Sequence, residues 1–182
     1  GALFPEAVQI IAAADSGIRG VEDLKGRKVA AGLPGSGAHF NALRVFEAAQ
    51  IGLDELDLVF MPLGDAAARL KAGSVDALVT TTAYPSPLLR RVAASRPVMV
   101  VPLTEALVRA VSFLEPAMVP VRIPAGTYAG QNDAVATVGV TALLVTTFDT
   151  ADALVRQVSD LVWGDAAALT GAGVAGTMVS RG

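Results

Sequence analysis

Two turns in the sequence have the composition needed to bind an anion through backbone amides. At GSG (35–37) and at YPSP (84–87), an apolar segment typical of a buried strand leads directly into the start of a helix. The first turn of a helix carries free N–H groups and the positive end of the helix dipole, so it attracts carboxylates and phosphates. Gly35 and Gly37 allow a ligand to approach closely, and Ser36 adds a hydroxyl. The alternative is that both turns only connect a strand to a helix.

Further uncharged groups lie beside these turns. The hydroxyl-bearing side chains near the second turn are Thr80, Thr81, Thr82 and Tyr84. His39 lies in the first turn of the helix after GSG, where it either contacts a ligand or is solvated and packed. Tyr128 lies in a loop bounded by proline and glycine, where an aromatic ring can lean over a cleft, pack in the core or serve at a hinge.

Covalent and nucleotide chemistry fit this sequence poorly. Ser36 and His39 are three residues apart within one turn, which is poor geometry for a proton relay, and no nucleophile-elbow motif is present. The segment GLPGSGAHF (32–40) lacks the ending of a P-loop and inverts the glycine spacing of a dinucleotide fingerprint. The chain has no cysteine and one histidine, and its acidic residues lack metal-loop spacing. We therefore predict no catalytic residue, no cofactor and no metal site.

The overall composition narrows the partners and the compartment. A formal net charge of −3 gives no electrostatic reason to expect a nucleic-acid partner. No segment reaches the roughly 20 uninterrupted apolar residues that a membrane-spanning helix needs. The N-terminal sequence GALFPEAVQI lacks the basic start and long apolar segment of a signal peptide. We expect either that a signal was removed or that the chain begins partway into a longer protein.

The apolar pattern predicts alternating strands and helices, which is typical of an α/β fold with a mostly parallel sheet. The expected strands are 7–14, 28–32, 56–61, 75–81, 97–103, 118–123 and 136–146. After a helical turn at 21–25, the expected helices are 38–50, 65–73, 86–95, 105–114 and 150–164. The expected N-caps are Asp65, Ser86, Thr104 and Thr150, and Gly73 is the expected C-terminal stop. The glycine-rich tail from Ala166 is expected to fray or to be partly disordered.

Three blocks of sequence, in a fixed order, closely resemble the TAXI family of solute receptors, which serve TRAP-type transporters. The blocks are 3–37, GSVDALVTT (73–81) and IPAGTYAGQNDAVATVGVTALLVTT (123–147). The stretch IPAGTY-x-GQ, followed by D-x-x-x-T-V, is the most diagnostic, and the resemblance extends to about Trp163. It implies a type II periplasmic-binding-protein-like fold, whose two lobes close around an amino acid such as glutamate or another small organic anion.

The resemblance also implies a role, a location and a domain organisation. The protein would be an extracytoplasmic receptor and not an enzyme, secreted through a signal peptide absent from this chain, and would deliver its solute to TRAP membrane permease subunits. Residues 1–19 would contain the first strand that crosses between the lobes, and 20–133 one nearly complete ligand-binding lobe. Residues 134–182 would contain the return strand, a helix of the other lobe and the tail. Because nothing matches the family's N-terminal ligand-contacting loops, we expect that part to be missing, and the incomplete lobe could then form a dimer.

The family's ligand contacts fall on two segments of this sequence. Carried over, they are Gly35, Ser36, Gly37 and Ala38 in the first turn, and Thr81, Thr82, Ala83 and Tyr84 in the second. Ala38 stands where the family commonly has threonine, which removes one hydroxyl contact. Tyr84 stands where small residues are common, so it could narrow the pocket or add a hydrogen bond. Two other functions stay open, namely an effector-sensing domain of a transcription regulator and an enzyme built on the same fold.

Overall fold

The computed structural model describes residues 1–164 and shows one seven-stranded sheet with helices on both of its faces. The strands are β1 (Ala2–Ala13), β2 (Lys28–Ala30), β3 (Asp57–Val59), β4 (Ala77–Thr82), β5 (Val98–Val100), β6 (Val119–Ile123) and β7 (Val135–Leu143). The α-helices are α1 (Gly37–Ala48), α2 (Leu63–Ala72), α3 (Pro87–Ser95), α4 (Glu105–Leu114) and α5 (Asp152–Gly164), and short 3-10 turns lie at Val21–Leu24 and Leu53–Glu55. The predicted α/β class is confirmed.

The sheet is mixed, so the prediction of a mostly parallel sheet was wrong. Its strand order is β3-β2-β4-β1-β7-β6, with β5 also paired to β1. Only β2 with β3 and β2 with β4 are parallel pairs. These three strands are joined through α1 and α2, and a helical crossover returns the chain in its original direction. The strand β1 runs antiparallel to β4, β5 and β7. These strands are distant from β1 in the sequence, and apolar periodicity does not reveal which strands pair or in which direction.

Strand β1 is the longest in the sheet and changes neighbours along its length. Its second half pairs with β4, from Ala7 opposite Thr82 to Ala12 opposite Ala77. Its first half pairs with β7 instead, with Ala7 opposite Gly139. A Cβ atom at Gly139 would lie 2.5 Å from the backbone oxygen of Glu6, so the two strands can approach this closely only with glycine there.

The two faces of the sheet each bury an apolar core. Successive residues along β1, and likewise along β4, point to opposite faces of the sheet. Ile10 and Val79 pack in the core beneath α1 and α4, whereas Ile11 and Leu78 pack in the core beneath α2 and α3. Because both faces of β1 are covered, it reads as a continuous apolar segment and not as an alternating one.

Helix α5 stands apart from both cores and has no buried residue. Apolar side chains are exposed on α5, at the end of β7 and in the segment between them, including Leu143, Val145, Phe148, Leu154 and Leu161. None of the helices in residues 1–164 has the length and apolarity required to cross a bilayer.

Several predicted helix ends are confirmed and two are wrong. Thr104 caps α4 by accepting a hydrogen bond from the Leu107 amide at 3.2 Å, and Gly73 ends α2 at φ 73°. Asp65 is not an N-cap, because α2 begins at Leu63, directly after Pro62, whose fixed φ suits a helix start. Thr150 does not directly precede α5, and its hydroxyl instead accepts from Thr146 Oγ1 at 2.5 Å. The expectation of a frayed tail from Ala166 falls outside the described residues.

Candidate functional site

The carboxyl ends of the three parallel strands surround a cavity of about 270 Å³. The segment after β2 contributes Gly32 and Leu33, the segment after β3 contributes Met61 to Leu63, and β4 contributes Thr80 to Thr82. Helices α1 and α2 both begin at this edge. Open α/β sheets bind ligands outside the carboxyl ends of their strands, and this cavity occupies that position.

The GSG turn has unused hydrogen-bond donors beside this cavity, which Ser36 and Ala38 line and Gly37 adjoins. Ser36 is the N-cap of α1, and its Oγ accepts from the His39 amide at 3.2 Å while its own proton stays available. The Phe40 amide donates to the Ser36 carbonyl oxygen at 3.0 Å. The amides of Gly37 and Ala38 precede this first helical bond, and neither has a partner within residues 1–164. The turn can therefore give three hydrogen bonds to an anion.

The glycine just before this turn is a structural requirement that sequence reasoning missed. Gly32 has φ 71°, and a Cβ atom there would lie 3.0 Å from the His39 amide nitrogen and 3.1 Å from Ser36 Oγ. A side chain at this position would therefore disturb the cap of α1. The signal was visible only as an additional glycine before GSG.

The threonines of β4 have different surroundings. Thr80 lines the cavity and is 4% exposed, and its hydroxyl has no hydrogen-bond partner among the described residues. Thr81 Oγ1 accepts from Asn41 Nδ2 at 3.0 Å, which fixes its position. Asn41 is itself buried on α1 and was not predicted, although it is the polar member of the buried set Asn41, Ala42, Val45 and Phe46. Thr80 therefore offers the cavity a free hydroxyl, and Asn41 positions the next one.

A buried polar network holds the loop that follows β4. The side chain of Gln9, in the middle of β1, donates from Nε2 to the Thr82 carbonyl oxygen at 3.1 Å. The Tyr128 hydroxyl donates to Gln9 Oε1 at 2.5 Å and accepts from the Ser86 amide at 3.0 Å. Gln9 was not predicted either, and its signal is a lone amide inside the apolar segment AVQIIAAA (7–14).

Of the three alternatives given for Tyr128, core packing agrees with the structure and a ring that leans over the cavity does not, and the residue positions the loop 82–86. Its side chain is 3% exposed, does not line the cavity and has both hydrogen-bonding functions of its hydroxyl in use. Burial raises the pKa of Tyr128 above its ordinary value, against the opposing effect of its hydrogen bonds, so the hydroxyl keeps its proton at neutral pH.

His39 and Tyr84 lie close to the cavity in sequence but have packing partners of their own. His39 Nδ1 lies 3.0 Å from the Ala31 carbonyl oxygen, so that nitrogen carries the proton, and the ring meets Phe60 edge-on at 5.1 Å. Tyr84 is half-buried against the core of α2 and α3, and burial raises its pKa. Both rings therefore support the walls of the site.

The structure brings part of the predicted set to the cavity. The predicted residues that line it are Ser36, Ala38, Thr81 and Thr82, and those adjacent in the same two turns are Gly35, Gly37, His39, Ala83 and Tyr84. No ionisable side chain is among the lining residues. Residues 1–164 contain no group of three or more histidine or acidic side chains placed to hold a metal ion.

Comparison with known proteins gives one family and several solved structures. The model of the NMT1-like family matches residues 1–180. A periplasmic aliphatic sulphonate binding protein from Escherichia coli, SsuA, is 30% identical over 52% of this chain and 31% of its own, with a TM-score of 0.45. Holo ArgBP from T. maritima is 25% identical over 57% of this chain and 42% of its own, with a TM-score of 0.40.

A third structure is an ABC transporter periplasmic binding protein from Brucella ovis with glutathione bound. It is 14% identical over 79% of this chain and 36% of its own, with a TM-score of 0.44. The chain thus spans less than half the length of each of these three structures.

Proposed function

The chain belongs to the NMT1-like family, and on that premise we propose that it is the ligand-binding part of an extracytoplasmic solute receptor for a membrane transporter. The observation that carries the proposal is the donor-lined cavity at the carboxyl ends of β2, β3 and β4. Its solute is a small organic anion or an amino acid, bound without any bond being made or broken.

The charge of the solute is met by oriented backbone groups and hydroxyls. The Ser36 hydroxyl and the free amides of Gly37 and Ala38 lie at the positive end of the 12-residue helix α1. The Thr80 hydroxyl adds a fourth donor from β4. Because none of the described residues that line the cavity is a lysine or an arginine, a bound anion avoids the desolvation of a second charge.

Capture uses the two strands that run past the cores. Strands β1 and β7 pair with each other over Ala2–Ala7, from the edge of the sheet where β4 ends at Thr82 and onward past that edge, and α5 follows β7. We assign residues 1–19 and 134–182 to the crossings between two lobes, and 20–133 to the lobe that holds the cavity. Closure about such crossing strands would bring the second lobe onto the anion.

An enzymatic role has less support than binding. General acid–base catalysis needs a titratable side chain within hydrogen-bond reach of the reacting atoms. No lining residue of the cavity is titratable, and the imidazole of His39 is turned to a backbone carbonyl.

The proposal is tested by thermal unfolding of the protein with a panel of amino acids, dicarboxylates and keto acids. A solute at about one hundred times its dissociation constant should add about 2.7 kcal/mol to the free energy of unfolding. Stabilisation by one acid, and not by uncharged analogues of the same size, would support the receptor function. If no acid shifts the transition, capture of an anion at this cavity is wrong.

The transporter class is a finer part of the proposal. The ordered sequence blocks support a TAXI receptor that works with TRAP permease subunits, whereas the Brucella ovis protein is named for an ABC transporter. Uptake into membrane vesicles that contain the transporter distinguishes the two. A TRAP system loses receptor-dependent uptake when an ionophore collapses the ion gradient, whereas an ABC system loses it when ATP hydrolysis is inhibited.

Self-association is the last part of the proposal. The exposed apolar side chains of α5, such as Leu154 and Leu161, support pairing with a second copy of the chain. Sedimentation at increasing protein concentration measures this directly.

A further inference from the structure

The cavity contains two chemically distinct sets of groups. Its hydroxyls come from Ser36 and from the threonines of β4. Its apolar wall comes from Leu33, Met61, Leu63 and Ala66. Leu33 is 47% exposed, so part of this apolar wall is open to whatever enters the cavity.

The backbone around the cavity has spare donors, and three of its carbonyl acceptors are already engaged. The Gly32 carbonyl oxygen accepts from the Met61 amide at 3.2 Å, and the Leu33 carbonyl oxygen accepts from the Ser36 amide at 3.0 Å. The Pro62 carbonyl oxygen accepts from two amides of α2, each at 3.1 Å. The amides at the two helix starts that have no partner among residues 1–164 are those of Gly37 and Ala38 in α1 and those of Leu63 and Gly64 in α2. The second pair begins α2, a helix of 10 residues that starts at the same edge as α1.

These donors suit an acid group, and none of the described lining residues offers an ammonium group a carboxylate partner. An ammonium has three donors and no acceptor, and burying it unpaired is costly. The acidic side chain nearest in sequence to the lining residues is Asp65, which is exposed and does not line the cavity. A solute with an amino group next to its acid group would therefore have to desolvate that group against donors.

We propose that the solute is an organic acid, a carboxylate or a sulfonate, with an apolar body and no amino group beside the acid group. The acid group binds the amides and hydroxyls, and the body lies against Leu33, Met61 and Leu63. This inference rests on the proposed function, since it names the class of anion that the same cavity captures.

The test compares molecules that share one carbon skeleton. Isothermal titration calorimetry measures the binding of 4-methylpentanoate, of leucine, which adds only the amino group, and of 3-methylbutane-1-sulfonate. We expect 4-methylpentanoate to bind at least ten times more tightly than leucine. Comparing 3-methylbutane-1-sulfonate with 4-methylpentanoate shows whether the site prefers a sulfonate or a carboxylate. Equal or tighter binding of leucine overturns the inference and leaves the proposed function intact. No binding of any of the three also overturns the inference, whereas the proposed function fails only if no acid of the thermal-unfolding panel stabilises the protein.

Three variants test the same inference by changing the protein instead of the solute. Leu33→Ser should weaken the binding of 4-methylpentanoate several-fold, and Leu53→Ser, at a residue 51% exposed and outside the cavity, is the matched control. Both changes are on the surface, so neither should prevent folding. Asp65→Asn should not weaken the binding of any of the three compounds. Loss of leucine binding in Asp65→Asn, or an unchanged Leu33→Ser, would contradict the inference.

Discussion

Replacing Gly37 by proline removes one backbone donor from the candidate site and leaves the side chains around it unchanged. Gly37 is the first residue of α1, where proline is favoured because its missing N–H has no intrahelical acceptor. Ser36, which would precede the proline, has φ −81° and ψ 153°, a conformation compatible with that position. Within residues 1–164, a Cβ built on Gly37 has no atom within 4 Å apart from its chain neighbours and the backbone of its own helix, so the ring has room. Gly37→Ala restricts the backbone but keeps the N–H, and is the matched control.

The expected loss follows from one hydrogen bond to a charged acceptor. Such a bond contributes about 1.5–3 kcal/mol, which corresponds to a fall in affinity of about 10- to 150-fold in Gly37→Pro relative to Gly37→Ala. The turn is partly exposed, so the lower part of that range is expected. Neither variant should be less stable than the parent, since both reduce the freedom of the unfolded chain at a compatible position.

Titration calorimetry with the organic acid that most stabilises the protein measures the affinity, and urea unfolding measures the stability. Equal affinity in the proline and alanine variants, with both folded as well as the parent, would refute the assignment of the Gly37 amide to the anion. A proline variant that is destabilised would instead show that the turn is held more rigidly than its free amides indicate.

Two further predictions concern the buried hydroxyls. Thr80→Val should leave the free energy of unfolding unchanged within about 0.5 kcal/mol, because the hydroxyl has no partner in residues 1–164. The same variant should lower the affinity for the acid by about tenfold. A variant that binds the acid as tightly as the parent would exclude Thr80 from the site. Tyr128→Phe should destabilise the protein by about 1–3 kcal/mol in urea unfolding, because Gln9 Oε1 and the Ser86 amide lose their partner. Because burial raises the pKa of Tyr128 in the folded state, its contribution is complete below the ordinary tyrosine pKa and decreases as the pH rises through the folded value, so the parent should lose stability in alkali more steeply than Tyr128→Phe.

The parts of the site that depend on local chemistry were predictable from the sequence. Glycines around a serine before an apolar helix indicate a turn with free amides, and Ser36 does cap α1. Proline after Ser86 likewise marked the start of α3 correctly. In both cases the residues that determine the conformation are neighbours in the chain, so their composition carries the information.

The parts that depend on distant partners were not predictable. Gln9 and Tyr128 are 119 residues apart, and only the folded sheet shows that one bonds the other. Asn41 has the same character, since its partner Thr81 lies on another element 40 residues away. The antiparallel pairing of β1 was not predicted for the same reason. Apolar periodicity shows that a strand is buried, but it does not show in which direction the strand runs relative to its neighbours.

The central position of β1 sets the order in which the molecule can fold. In the chain, β1 precedes every segment that pairs with it. Ala7 can complete its pairing only after the segments that contain Thr82 and Gly139 have reached it. Helical crossovers around β2, β3 and β4 can form earlier because their contacts are more local, whereas closing the sheet over β1 requires long loops to be restricted first. We therefore expect slow refolding with a late step at β1. Until that step is complete, both edges of an apolar strand are open to pairing with other chains. A chain of this topology therefore needs protection from misassembly while it is being synthesised.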